Sequence, residues 1–255
     1  MDSCQPVLTT QNLGKRYGTF TALRGLNLSI RAGEIVGLLG PNGSGKTTAL
    51  RLILGFLKPT TGWSRIGPHD SWENGHLARA GVAYLPAELR LYDTMTGREL
   101  VEWLGSFRPG GADPVRVQAL ARAFDLDLDR PLRRCSSGMK RKVALLAVLS
   151  SRAPLLILDE PTNALDPDMR QALTEQTLQA GREGQAVLFS SHILEEVEAI
   201  CTRAIIIARG RMMADCTPAE LLKRAPPRDP AAAALVRTTP LEDAFRHITL
   251  EQAGS

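Results

Sequence analysis

The chain has 255 residues, 44% of them hydrophobic and 23% charged, with a net charge of +4 at neutral pH. That balance excludes a disordered chain and leaves enough apolar material for a sizeable core. The densest basic cluster, Arg133-Arg134 with Lys140-Arg141-Lys142, is too short for a nucleic-acid arm, so no nucleic-acid partner is expected.

From the start, Met1 to Pro6 has neither a basic opening nor an apolar run, so no secretory signal is read there. Val7 to Leu8 and Ala22 to Arg31 read as short strands. In the second, Leu26, Leu28 and Ile30 alternate with polar residues as a half-buried strand requires. Ala32-Gly33 supplies a turn, and Ile35 to Leu39 is apolar on both faces, the pattern of a fully buried strand.

That strand runs into Gly40-Pro41-Asn42-Gly43-Ser44-Gly45-Lys46-Thr47-Thr48 and then a helical stretch to about Leu54. The pattern G-x-x-x-x-G-K-[ST] between a strand and a helix is a phosphate-binding loop in the setting it needs. Glycines let successive backbone N–H groups turn inward around phosphate oxygens, and the following helix points its positive end at the same anion. Lys46 would reach the β- and γ-phosphates as a point charge. The Thr47 hydroxyl would ligate Mg²⁺.

Thr96-Gly97-Arg98-Glu99 reads as a capping box that opens a helix toward Trp103, and Asp113-Pro114 starts another. Ser136-Ser137-Gly138-Met139 opens an amphipathic helix to about Ser150, with serines suited to its N-cap. Lys140, Arg141 and Lys142 crowd that helix start, where the macrodipole disfavours positive charge, which suggests an anion partner. The longest candidate for a membrane span, Val143 to Leu149, ends in Ser150-Ser151-Arg152, far short of the about 20 apolar residues a span needs. No direct membrane insertion is expected.

Leu155 to Leu158 forms an apolar strand ending in Asp159-Glu160. Two adjacent carboxylates at the edge of a buried strand are costly unless a cation or hydrogen bonds hold them, and a Mg²⁺–nucleotide complex would do so. Asp159 fits the metal-side acid and Glu160 the general base that polarises the attacking water. An acidic helix cap is the competing reading, because Pro161-Thr162 follows. Ser190-Ser191-His192 comes after the strand Ala186 to Phe189. It places a histidine either at a helix start or at the strand edge where open α/β sheets bind ligands. Thr217-Pro218-Ala219-Glu220 caps a late helix, and about Ala225 to Ala234 reads as a linker. Cys4, Cys135, Cys201 and Cys216 lie far apart without a C-x-x-C pair, which argues against zinc, a redox motif or disulfides and suits a reducing cytoplasm.

From about Val7 to about Leu222 the chain resembles the nucleotide-binding subunit of ABC transporters, with the motifs in the family's order and spacing. Gly40 to Thr48 match Walker A, Leu155 to Asp159 match Walker B, and Glu160 matches the catalytic glutamate. Ser136-Ser137-Gly138 fall on the signature motif that reaches the γ-phosphate held by the opposite subunit. Ala164-Leu165-Asp166 match the D-loop, His192 the switch histidine, and Tyr17 the aromatic that stacks on adenine. The fragment Leu241 to Phe245 resembles an ending of exporter-type members. Where the family has a Q-loop glutamine that helps hold Mg²⁺, this chain has Ala87-Glu88, and Glu88 is the candidate substitute, one residue late. Cys135 and Met139-Lys140 also depart from the commoner Leu and Gln of the signature.

The resemblance implies an α/β fold: a P-loop NTPase core, RecA-like, with an N-terminal antiparallel β portion. A helical insert over about 87–152 carries the signature. The ATP-binding domain would span 1–225, and 226–255 a linker and short C-terminal helix. It further implies an ATPase using ATP and Mg²⁺, paired with a second ATP-binding subunit, identical or related. Such a subunit sits in the cytoplasm on the inner face of the membrane and drives transport, of export type, through a separate polytopic membrane subunit. A soluble relative acting on ribosomes or DNA is the alternative. Those relatives carry two such domains, a long coiled coil or a zinc insert, and this chain shows no heptad run or Cys cluster.

Overall fold

The computed structural model describes residues 5–107, 111–223, 244–245 and 248. Cys4, the linker expected over about 225–234 and Leu241-Glu242-Asp243 lie outside the described residues. The elements in chain order are β1 (Leu8–Tyr17), β2 (Phe20–Ile30), β3 (Ile35–Leu39), α1 (Lys46–Ile53), β4 (Thr61–Ile66), β5 (His69–Asp70), α2 (Gly75–Ala80) and β6 (Val82–Leu85). Then follow α3 (Gly97–Ser106), α4 (Pro114–Ala123), α5 (Ser137–Leu149), β7 (Leu155–Asp159), α6 (Pro167–Arg182) and β8 (Ala186–Ser191). The last are α7 (Leu194–Ile200), β9 (Arg203–Ala208), β10 (Arg211–Cys216) and α8 (Pro218–Leu222).

The strands form one mixed sheet in the order β5-β4-β1-β2-β10-β9-β3-β8-β7-β6. Strands β9, β3, β8, β7 and β6 run parallel, and β5, β4, β1 and β2 form an antiparallel portion. The two portions meet where β10, antiparallel to β9, touches β2 at Arg211 and Arg24. Between β6 and β7 the chain leaves the sheet for α3, α4 and α5.

Strict alternation along the buried strands splits the core into two layers. Ile35 and Leu39, Leu156 and Leu158, and Val187 and Phe189 face one side, with α5, α6 and α7. Val36 and Leu38, Leu155 and Ile157, and Ala186 and Leu188 face the other, with α1 and the antiparallel portion. A parallel strand covered on both faces has to be apolar throughout, which is why these strands read as continuous hydrophobic runs. Ala244 is fully buried against the first layer, with Phe245 and Ile248 packed beside it.

The opening strands differ from their expected limits. β1 extends to Tyr17, and β2 begins at Phe20 after a turn through Gly18. Register shifts between Thr10 and Leu13, Leu13 and Lys15, and Lys15 and Arg16 break the two-residue alternation of β1. Its sequence LTTQNLGKRY therefore carries no strand period. The helix starts behave as read: Thr96 and Glu99 form a capping box, Asp113 caps α4 and Thr217 caps α8.

Candidate functional site

Register places the ends of three parallel strands on one edge of the sheet. Leu39 lies opposite Ser191, and Asp159 opposite Ser190. The loop after β3, the turn after β7 and the residue after β8 are therefore neighbours, at the carboxyl edge where open α/β sheets take ligands.

Two glycines shape the first loop. Gly43 has φ +77° with no atom within 4 Å of where a Cβ would lie, and Gly45 has φ +112°, with its Cβ position 2.8 Å from the Ala22 carbonyl oxygen. A side chain is strained at both and also obstructed at the second. Gly45 hands over directly to α1, whose N-terminus opens at Lys46. A cleft of about 490 Å³ lies over this loop, lined by Pro41 to Thr48, Phe20, Ala22, Ala87, Glu160, Asn163 and His192.

Lys46 is buried and donates from Nζ to the carbonyl oxygens of Gly40, at 2.6 Å, and Pro41, at 3.4 Å. The same nitrogen is 3.5 Å from Glu160 Oε1, while Glu160 Oε2 is 2.7 Å from His192 Nδ1. One line of contacts thus joins the loop lysine, the glutamate and the histidine. Glu160 reaches this position with a left-handed backbone, φ +47°. Its N–H donates to both the carbonyl and the hydroxyl oxygen of Ser190.

Beneath Glu160, Asp159 is buried and accepts from the Ser190 hydroxyl at 2.6 Å. Burial pushes its carboxyl above the usual carboxylate range, and the Glu160 charge adds to this. The Ser190 hydrogen bond and Lys46 act the other way. Ser190 is the hinge of the pair: its hydroxyl donates to Asp159 and accepts from the Glu160 backbone. The sequence showed it as one of two serines before His192. Its place opposite Asp159 in the sheet is what gives it a task.

Not every residue singled out from the sequence reaches this cleft. Tyr17 is 50% exposed at the β1–β2 tip, with Lys15 Nζ 5.1 Å from its ring centre, and Phe20 opposite it is the aromatic that lines the cleft. Glu88 points to solvent, and Ala87 occupies the cleft wall. Glu88, the candidate substitute for the missing glutamine, is thus exposed and stands outside the residues that line the cleft. Ser136 caps α5 by accepting from the Met139 N–H, and Ser136, Ser137 and Gly138 stand outside this chain's cleft. Asp166 caps α6 through the Met169 N–H.

The three cations at the start of α5 are held within the chain. Lys140 pairs with Asp93 at 2.5 Å, Lys142 lies 3.8 Å from Asp166, and Arg141 is buried against backbone carbonyls. Each of the three therefore has an acceptor within the chain.

The residues present fit a magnesium nucleotide. The Ser44 hydroxyl is buried in the loop without a hydrogen-bond partner, an orphan that a phosphate oxygen would satisfy. Thr47 and Asp159 offer hard oxygen donors, the kind Mg²⁺ takes alongside phosphate oxygens. Among the described residues no three His, Cys, Asp or Glu gather as a metal cage, and no helix is long and apolar enough to cross a membrane.

A phosphate loop followed by an acid pair at one sheet edge defines a nucleotide-hydrolysing cassette, and comparison gives its family. Residues 23–163 match the family described as ABC transporter. The chain belongs to that family, as an ATP-binding and ATP-hydrolysing subunit. It is 34% identical over 221 residues to a Nod factor export ATP-binding protein I from Ralstonia nicotianae, covering 85% of this chain and 69% of that one. It is likewise 34% identical over 227 residues to the linearmycin resistance ATP-binding protein LnrL of Bacillus subtilis, covering 86% and 71%. Among solved structures, an ATP-binding subunit of an ABC transporter superposes with a TM-score of 0.82 at 27% identity, covering 95% of this chain and 99% of that chain.

Proposed function

We propose that this chain is the peripheral, cytoplasmic motor of an exporter, working on a separate polytopic membrane subunit at the inner face of the membrane. Two ATP-binding subunits would close over ATP. The reading rests on one observation, the Lys46–Glu160–His192 line at the mouth of the phosphate loop. Its export direction comes from relatives named for Nod factor export and linearmycin resistance.

Residues Gly40 to Thr48 hold the phosphates through backbone N–H groups, and Lys46 adds its charge to them. Tyr17, beside the cleft-lining Phe20, offers the adenine an aromatic face. Thr47 and Asp159 would hold Mg²⁺. When bound, the ion neutralises charge on the phosphate oxygens. Glu160 takes a proton from the attacking water as the water oxygen bonds to the γ-phosphorus and the bond to the bridging oxygen breaks. His192 holds the Glu160 carboxylate in line. Ser136, Ser137 and Gly138 complete the partner subunit's site, with Asp166 beside the same interface.

The test is Glu160→Gln in the full chain with ATP and magnesium chloride. Removing the base lowers turnover by about 100-fold or more while ATP stays bound. The variant then accumulates as an ATP-dependent dimer on gel filtration. Turnover near the wild-type value would remove Glu160 as the base.

A further inference from the structure

Arg141 is the fifth residue of α5, and its side chain is buried. A guanidinium carries five N–H donors in a fixed fork, and here each finds a backbone carbonyl. Nε donates to Pro161 at 3.4 Å. Nη1 donates to Ala87 at 2.7 Å and Pro86 at 3.2 Å, and Nη2 to Asp159 at 3.3 Å and to Glu160. These acceptors belong to two chain segments, the turn after β6 and the turn after β7. The first segment also faces the second, where the Ala87 N–H favours the charged form of the Asp159 carboxyl.

A charge taken out of water and matched only to carbonyl dipoles is costly to keep. Its position explains why it is kept. Glu160 has the left-handed backbone that brings its carboxylate toward Lys46 and His192, and Arg141 holds the carbonyl on the far side of that residue. The Ser190 contacts hold its N–H. Both ends of the strained residue are therefore clamped, one from β8 and one from α5.

We propose that Arg141 is the positioning residue for Glu160, fixing the turn that aims its carboxylate and linking that turn to α5. This rests on the reading of Glu160 as the base. It goes further: the helix whose start faces the partner's nucleotide is bolted to the base of its own site. A shift of α5 as two subunits close reaches Glu160 through the guanidinium.

The test compares wild type, Arg141→Ala, Arg141→Lys and Glu160→Gln, all as full chains. ATP affinity, turnover and melting temperature are measured for each. A base displaced by about 1 Å loses about 100-fold in rate, so both Arg141 variants should lose turnover on that scale with ATP affinity unchanged. Lysine retains the charge but places its donors on one nitrogen, so it should not restore the rate even where it restores the melting temperature. Guanidinium chloride at millimolar concentration should recover part of the Arg141→Ala turnover, and sodium chloride should not. Wild-type turnover in Arg141→Lys, beside an inactive Glu160→Gln, overturns the role of Arg141 and leaves the base assignment standing. Parallel loss of ATP affinity and turnover in Arg141→Lys also overturns it, because that pattern marks a general fold clip. An active Glu160→Gln instead removes the base assignment beneath the proposal.

Discussion

At Asp159 a carboxylate lies buried at the end of β7, with the Ser190 hydroxyl and the Ala87 N–H as its near donors. Burial and the adjacent Glu160 both disfavour its charge, so without a cation the folded chain carries that cost. Asp159→Asn keeps the shape and the acceptor for Ser190 while removing the charge. We expect the nucleotide-free variant to be more stable by about 1 kcal/mol, or about 3 °C in melting midpoint. Its magnesium-dependent hydrolysis should be lost. A midpoint lower than that of wild type would mean that the carboxylate is a net support of the fold and not a held-open ligand. Ala87 shows a different residue-scale lesson. It lines the cleft, but its carbonyl holds Arg141 and its N–H favours the Asp159 charge. The main chain retains a structural task at a position where the side chain offers no oxygen.

Among the elements, those whose periodicity and termini agree were readable. The buried strands β3, β7 and β8 announce themselves as apolar runs, and α3, α4 and α8 through their caps. β1 was not, because bulges at Leu13 and Lys15 and a left-handed Asn12 disrupt its alternation. The site shows the same split. The phosphate loop, Glu160 and His192 are local patterns and meet in the cleft. Ser190 and Arg141 act through sheet register and helix packing, which one-dimensional spacing does not record. Gly37 belongs with them. It lies in the middle of β3, and a Cβ there would meet Val197 Cγ1 at 2.6 Å and Cys201 Sγ at 3.1 Å. The absent side chain is what lets α7 rest directly on the strand just after His192. Gly37→Ala should cost about 1–3 kcal/mol through overpacking, read as a lower urea midpoint. Val197→Ala in the same chain should return part of that loss. If the double variant is less stable than the sum of the two single changes, the contact is not what the glycine serves.

For the whole molecule, the question is what demands a glycine at the start of α5. Gly138 has no left-handed φ, and its Cβ position meets nothing closer than the Ala164 carbonyl oxygen at 3.6 Å. Within one chain, then, alanine fits there at no steric cost. Helix propensity even favours it, by about 0.5–1 kcal/mol. A two-subunit site changes the balance, because the bare backbone at Gly138 would lie against the nucleotide held by the partner. Gly138→Ala should therefore melt at the wild-type temperature or slightly above it. It should bind ATP in its own loop with unchanged affinity, since Lys46 and residues 40–48 are untouched. ATP-driven dimerisation and turnover should fall together, by about 10-fold or more for a lost phosphate contact of about 1.4 kcal/mol. The same substitution introduced beside Glu160→Gln should abolish the trapped dimer on gel filtration. Should Gly138→Ala dimerise and hydrolyse as wild type does, the signature helix makes no close contact across the pair, and each cleft would have to complete its chemistry with its own residues.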